Sequence, residues 1–179
     1  MSPTADVSAR LAWPDDAPAI VRIQLASWRS SYAHLIPADE LAALDPDELA
    51  ERWATTITTP QDARLRVLVA LERADVRGFA LVHPSFDPDS DRVSDGEVGE
   101  FVVDADHQRA GHGSRLLQAV MDTLVADKFT RAVWWLNSED DALRAFVTES
   151  GWAPDGAHRE LGSATGATVK QVRLHTSLA

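Results

Sequence analysis

The chain has 179 residues, 45% of them hydrophobic, a net charge of -11 and no cysteine. That length suits one well-packed α/β domain spanning residues 1–179. The acidity argues against a nucleic-acid partner, whose binders need basic surface to displace counterions, and the missing cysteine removes disulfides, thiolate nucleophiles and thiolate zinc sites.

Read in chain order, Val7 to Ala12 forms a first strand. Asp15 or Asp16 caps a helix that accepts Pro18 in its first turn and buries Ile20, Ile23 and Trp28. Ala38–Leu44 and Asp47–Thr56 read as two short helices, the second burying Leu49 and Trp53. Leu65–Leu71 and Gly78–His83 are a strand pair turning at Arg73-Ala74-Asp75. The acidic stretch Asp87, Asp89, Asp91, Asp95, punctuated by Pro84, Pro88 and Gly96, reads as a solvated loop. Such acidity serves solubility, or else this loop and the group Asp39, Glu40, Asp45, Asp47, Glu48 attract a cation.

A buried strand, Val98 to Val103, leads through Gln108-Arg109-Ala110-Gly111-His112-Gly113 into a helix whose apolar residues Leu116, Leu117, Val120, Met121, Leu124 and Val125 recur at helical spacing. Ala132–Leu136 is the next strand, with Trp134 and Trp135 on opposite faces. Ser138 and Asp141 suggest a capping box for a helix reaching Glu149 and ended by Gly151. Ala157–Leu161 and Val169–His175 close the chain as a strand pair hinged at Ala164-Thr165-Gly166. Strands and helices in this order make a mixed α/β sheet. No apolar run approaches the roughly 20 residues of a membrane span. The start, Met1 to Asp6, lacks the basic and apolar regions of a secretory signal, so a cytoplasmic location is expected.

The strand–glycine turn–helix junction carries the chemistry. The first turn of a helix has amide groups without internal partners and sits at the positive end of the helix dipole, so an anion, above all a phosphate, belongs there. A nucleoside-triphosphate loop would follow its last glycine with Lys-Ser or Lys-Thr, but Ser114-Arg115 follows Gly113. A dinucleotide fingerprint would need a small residue at Leu116 and an early βαβ unit.

The segment Glu97–Trp152 instead resembles the GNAT superfamily of acetyl-CoA-dependent N-acetyltransferases. Gln108 to Gly113 match that family's pyrophosphate motif, Val103 to His107 its lead-in, and Ala145 to Trp152 its helix ending in Gly-aromatic. Ser27-Trp28-Arg29-Ser30-Ser31-Tyr32 before Ile36-Pro37 is also typical of many members. The resemblance implies a mixed, mostly antiparallel central sheet with a splayed strand pair, flanked by helices. It implies that Phe101, Val102 and Val103 pair with the pantetheine of acetyl-CoA, and that Gln108, Arg109, Ala110, Gly111, His112, Gly113 and Ser114 hold its pyrophosphate, with a weak cationic contact or a loop-surface role for the His112 side chain. Acetyl-CoA is the expected cosubstrate and no metal is needed. The acceptor is expected to be a primary amine of a small molecule or peptide, with a homodimer as one assembly state.

An amine near neutral pH must lose a proton before it attacks. Glu97, eleven residues before Gln108, is at the spacing where some members place a catalytic glutamate. Glu100 is the second candidate, and strand alternation points it to the opposite face from Glu97. The family's usual general-acid tyrosine is here Val147, and the usual asparagine seven residues before it is Asp140, which also sits at a helix start; Asn137 is the nearest replacement contact to the cofactor. Tyr32, the one tyrosine, is the remaining proton donor or else a buried aromatic at a helix end. His34, His83, His158 and His175 lack metal-ligand spacing. Alternatives on the same fold are a silent acyl-CoA-binding module, suggested by Val147, and transfer of a longer acyl group, decided by the room beside Phe101.

Overall fold

The computed structural model describes residues 6–178; the expectation about a leader, resting on Met1 to Asp6, falls almost wholly outside them. One seven-stranded sheet runs through the described chain: β1 (Val7–Leu11), β2 (Arg66–Glu72), β3 (Asp75–Pro84), β4 (Asp95–Val103), β5 (Arg131–Asn137), β6 (Ala153–Gly162) and β7 (Thr168–Ser177), in the order β1-β2-β3-β4-β5-β7-β6. Every neighbouring pair is antiparallel except β4 with β5. The mixed, mostly antiparallel sheet is as expected.

The helices are α1 (Ala17–Ser31), α2 (Ala38–Ala43), α3 (Pro46–Thr58), α4 (His112–Ala126) and α5 (Asp141–Glu149). Two cores divide between the sheet faces. Ile20, Val21 and Ile23 of α1 and Trp53 of α3 pack with Val67, Val69 and Phe79 on one face. Leu116, Leu117, Val120 and Leu124 of α4 and Val147 of α5 pack with Ala80, Val82, Val98 and Trp134 on the other. Because both faces are covered, Val67 to Leu71 are buried without a break, as strands between two helical layers require. Among the described residues, no helix is long and apolar enough to cross a membrane.

Two irregularities shape the centre. The β4–β5 ladder joins Asp95–Val98 to Arg131–Trp134 and goes no further, so β4 from Gly99 and β5 from Trp135 diverge. This is the splayed pair. The second is a bulge in the β3–β4 ladder: Leu81 faces Glu100 and Val82 faces Val98, leaving Gly99 unpaired. One extra residue reverses strand alternation. Glu97 opposite His83 and Glu100 opposite Leu81 therefore share a face, the α1 side, and the opposite-face expectation is corrected.

The helix ends also differ in detail. Asp16 stands at the N-cap of α1, but its carboxylate accepts from the Trp13 amide at 2.7 Å and pairs with Arg10. Helix α5 is capped by Asp140, whose Oδ1 accepts from the Leu143 amide at 3.1 Å, so Ser138 and Asp141 form no capping box.

Candidate active site

The loop after β4 begins with Asp104, which accepts from the Asp106 amide and pairs with Arg22 of α1 at 3.1 Å. Beyond it Arg109 (φ 60°) and Gly111 (φ 89°) both take left-handed backbone. Left-handed residues within such a loop let neighbouring amides converge on one concavity, the arrangement that binds anions. Gly111 is the N-cap of α4. Among the described residues, the backbone amides of Gly111, His112, Gly113 and Ser114, at the start of α4, have no backbone acceptor. Gln108, Arg109, Ala110, Gly111, Ser114 and Arg115 are exposed there, so unpaired amides and two guanidinium groups face the same solvent. This donor set fits a diphosphate.

His112 does not take either of its expected side-chain roles. It is 1% exposed, and neither ring nitrogen has a partner. Burial lowers its pKa, which keeps the imidazole neutral and removes any cationic contact. The ring is drawn inward because it occupies the first turn of α4 on the side that packs on the sheet; only its amide belongs to the loop.

At the divergence, Phe101 lies on the α4–α5 side, its ring 4.9 Å from Trp134 and 6.3 Å from Phe146, centroid to centroid. These rings floor the gap. Phe101, Val102 and Val103 pair with β3 through Ala80, Phe79 and Gly78, while their β5-facing edge has no strand partner. Asn137, at the end of β5, accepts from the Glu139 amide at 2.9 Å, leaving its own amide group as a donor.

On the α1 side the titratable groups converge. Glu100 lies beneath α1, where Gln24 donates to it at 3.2 Å, and burial pushes its carboxyl up to about 7. Burial also raises the Tyr32 hydroxyl, helped by the negative charges of Glu100 and Asp140. Tyr32 at the end of α1, Glu100 on β4 and Asp140 before α5 are thereby brought together. Glu97, one turn of the ladder away, accepts from the Ser85 hydroxyl at 3.0 Å. His83 lies between them. Its Nδ1 is 2.7 Å from the Pro84 carbonyl, its ring stacks on Phe86 at 5.0 Å, and its Nε2 would be 2.7 Å from a Cβ at position 99. Any larger residue at position 99 would push that ring aside. Spacing along the chain gives no sign of this place for His83, which the register of the β3–β4 ladder sets.

The acidic loop between β3 and β4 is not simply solvated. Arg173 of β7, 5% exposed, donates to Asp87 (3.0 Å), Asp89 (2.6 and 2.7 Å) and Asp155 (2.7 Å). Trp135 donates to Asp87 at 2.9 Å, and Arg131 to Asp155 at 2.9 Å. The Arg173 guanidinium holds the Asp89 carboxyl at about 2. This ion-pair cluster ties the loop over β5 and β7 and builds the wall beside Glu97. Val147 is fully buried between α5 and the sheet, away from any open surface.

Comparison with known proteins agrees with this geometry. The sequence model of the Acetyltransferase (GNAT) family matches residues 22–152. The chain is 25% identical over 174 residues to the uncharacterized N-acetyltransferase YuaI of Bacillus subtilis (strain 168), covering 94% of this chain and 91% of that protein. Its fold is similar to that of yncA from Salmonella typhimurium, solved with its cofactor acetyl-CoA (TM-score 0.73, 23% identity, 97% of this chain and 94% of that one). It is similar also to an N-acetyltransferase of Staphylococcus aureus Mu50 (TM-score 0.77, 19% identity, 97% and 99% covered). With the family match spanning most of its length, the chain belongs to the GNAT acetyltransferases and is an acyltransferase.

Proposed function

We propose that this protein moves an acetyl group from acetyl-CoA to a primary amine of a small molecule or peptide by direct attack within a ternary complex. The observation that carries the reading is the parting of β4 from β5 after Val98 and Trp134, with unpaired amides at one end and a half-buried carboxylate on the α1-facing wall. The amides of Gln108 to Ser114 hold the pyrophosphate, and Arg109 and Arg115 add positive charge beside it. The free edge of Phe101 to Val103 takes the pantetheine as a further strand, with Asn137 offering an amide across the gap. Acetyl-CoA, when bound, supplies a thioester carbonyl that an amine can attack.

Glu100 receives the proton of the acceptor ammonium. A carboxyl poised at about 7 is half ionised near neutrality, where a general base works best. Glu97, the first candidate from its spacing, is held by Ser85 and is better suited to attract the cationic acceptor; Asp140 adds a further negative charge at that mouth. Tyr32 keeps its proton at neutral pH and donates it to the departing thiolate. The rings of Phe101, Trp134 and Phe146 close the floor of the gap and favour a short acyl group.

The test is release of free CoA thiol from acetyl-CoA across a panel of primary amines, with wild type, Glu100→Gln, Glu97→Gln and Tyr32→Phe. Turnover with at least one amine, lost in Glu100→Gln, supports the reading. Tight acetyl-CoA binding without turnover on any amine would favour a silent acyl-CoA-binding module. Full activity in Glu100→Gln with loss in Glu97→Gln would move the base to Glu97.

A further inference from the structure

Gln24 is a polar residue on the buried stripe of α1, in line with Ile20 and Trp28 and only 4% exposed. A buried amide needs partners for both its ends, and Gln24 has one of each kind. Trp53 of α3, itself 9% exposed, donates its indole N–H to Gln24 Oε1 at 3.0 Å. An indole can only donate, so the carbonyl end of Gln24 must face Trp53. The NH2 end must then face Glu100, where Nε2 lies 3.2 Å from Oε1 and 3.5 Å from Oε2. Turning the amide over would set donor against donor and carbonyl against carboxylate, so the chain Trp53–Gln24–Glu100 has a single polarity. Trp53 is in turn held by the edge-on contact of its ring with Phe79, at 5.4 Å.

We propose that Gln24, oriented by Trp53, is a positioning residue that fixes the Glu100 carboxylate at the divergence of β4 and β5 and lowers its affinity for a proton. The inference rests on Glu100 being the base. Burial alone drives a carboxyl towards its neutral form, and a fully desolvated one would stay protonated where an amine has to be deprotonated. A donor aimed at the ionised form opposes this, and Gln24 does so without adding a charge that would repel a cationic acceptor. The other charged or titratable groups near Glu100 come from Tyr32 at the end of α1, Asp140 before α5, and His83 and Glu97 on β3 and β4. Arg22, also on α1, is bound to Asp104 and the Val76 carbonyl. Among the described residues, Gln24 is thus the side chain that donates to the Glu100 carboxylate.

The experiment has one arm that needs no acceptor. Carbon-13 side-chain NMR gives the Glu100 carboxyl midpoint in the full-length protein, the resonance being assigned by its loss in Glu100→Gln. Gln24→Met, which keeps volume and removes the donor, should raise that midpoint by about one pH unit. Trp53→Phe, which keeps the ring and frees the Gln24 amide to turn, should raise it by a smaller amount. In the second arm, kcat/KM with acetyl-CoA and the best amine of the panel should show its acid limb displaced to the same extent. The rate of Gln24→Met at pH 6 would then fall about tenfold and recover at high pH, with the KM for acetyl-CoA unchanged. Unmoved midpoints in folded variants overturn the proposal, and Trp53→Phe decides alone if Gln24→Met does not fold. Midpoints that rise while the acid limb stays in place would instead overturn Glu100 as the base.

Discussion

Removing the Glu100 charge should make the fold more stable at neutral and alkaline pH. The carboxyl stands at about 7 in the folded chain against 4.5 ordinarily, chiefly because it is buried. The folded state therefore binds the proton more tightly than the unfolded one, and stability falls as pH rises from 4.5 through 7. At about 1.4 kcal/mol per pH unit, the ionised carboxylate costs about 3 kcal/mol above pH 8 and almost nothing below pH 4. Glu100→Gln keeps an acceptor for the Gln24 amide and abolishes the titration. Urea unfolding at pH 4, 6 and 8 should find the variant close to wild type at pH 4 and about 3 kcal/mol more stable at pH 8. In thermal scans this corresponds to about 6–12 °C for a chain of this size. Parallel stability curves across this range would refute the argument, since they would mean that Glu100 titrates alike in both states.

Other outcomes follow from the same geometry. Gly111→Val places a β-branched residue at φ 89°, so the loop should lose its amide cradle and acetyl-CoA affinity should drop at least tenfold by calorimetry, with helix α4 retained by circular dichroism. Arg173→Met leaves Asp87, Asp89 and Asp155 facing one another with only Arg131 in compensation, and should destabilise the fold by about 3–5 kcal/mol in denaturant titration. Val147→Tyr should not improve turnover. Its side chain sits in a filled core between α5 and the sheet, so the added ring should cost about 1–3 kcal/mol of stability while kcat stays level or falls.

Much of the fold was legible from local pattern. Helical spacing from Leu116 to Val125 and the glycines at 111 and 113 marked the start of α4, and the structure begins that helix at His112. Strand ends erred by a few residues, most at β6, which starts at Ala153 rather than Ala157 because β7 extends the ladder on both sides of a bulge. The cap of α5 went to Asp140 rather than Ser138 because Ser138 is still tied to the sheet, its amide donating to the Lys170 carbonyl.

The order of strands and helices, the glycine turn and the types of residue able to do the chemistry were determined by the sequence alone, because hydrophobic period and backbone preference act over a few neighbouring residues. Which face Glu100 occupies was decided only in the folded chain, by one unpaired glycine in the ladder with β3. So were the burial of His112, the clasp of three aspartates on Arg173 and the placing of Gln24 over a carboxylate 76 residues away. Each depends on register or packing between distant segments, and such long-range contacts leave no period in a single sequence from which to read them.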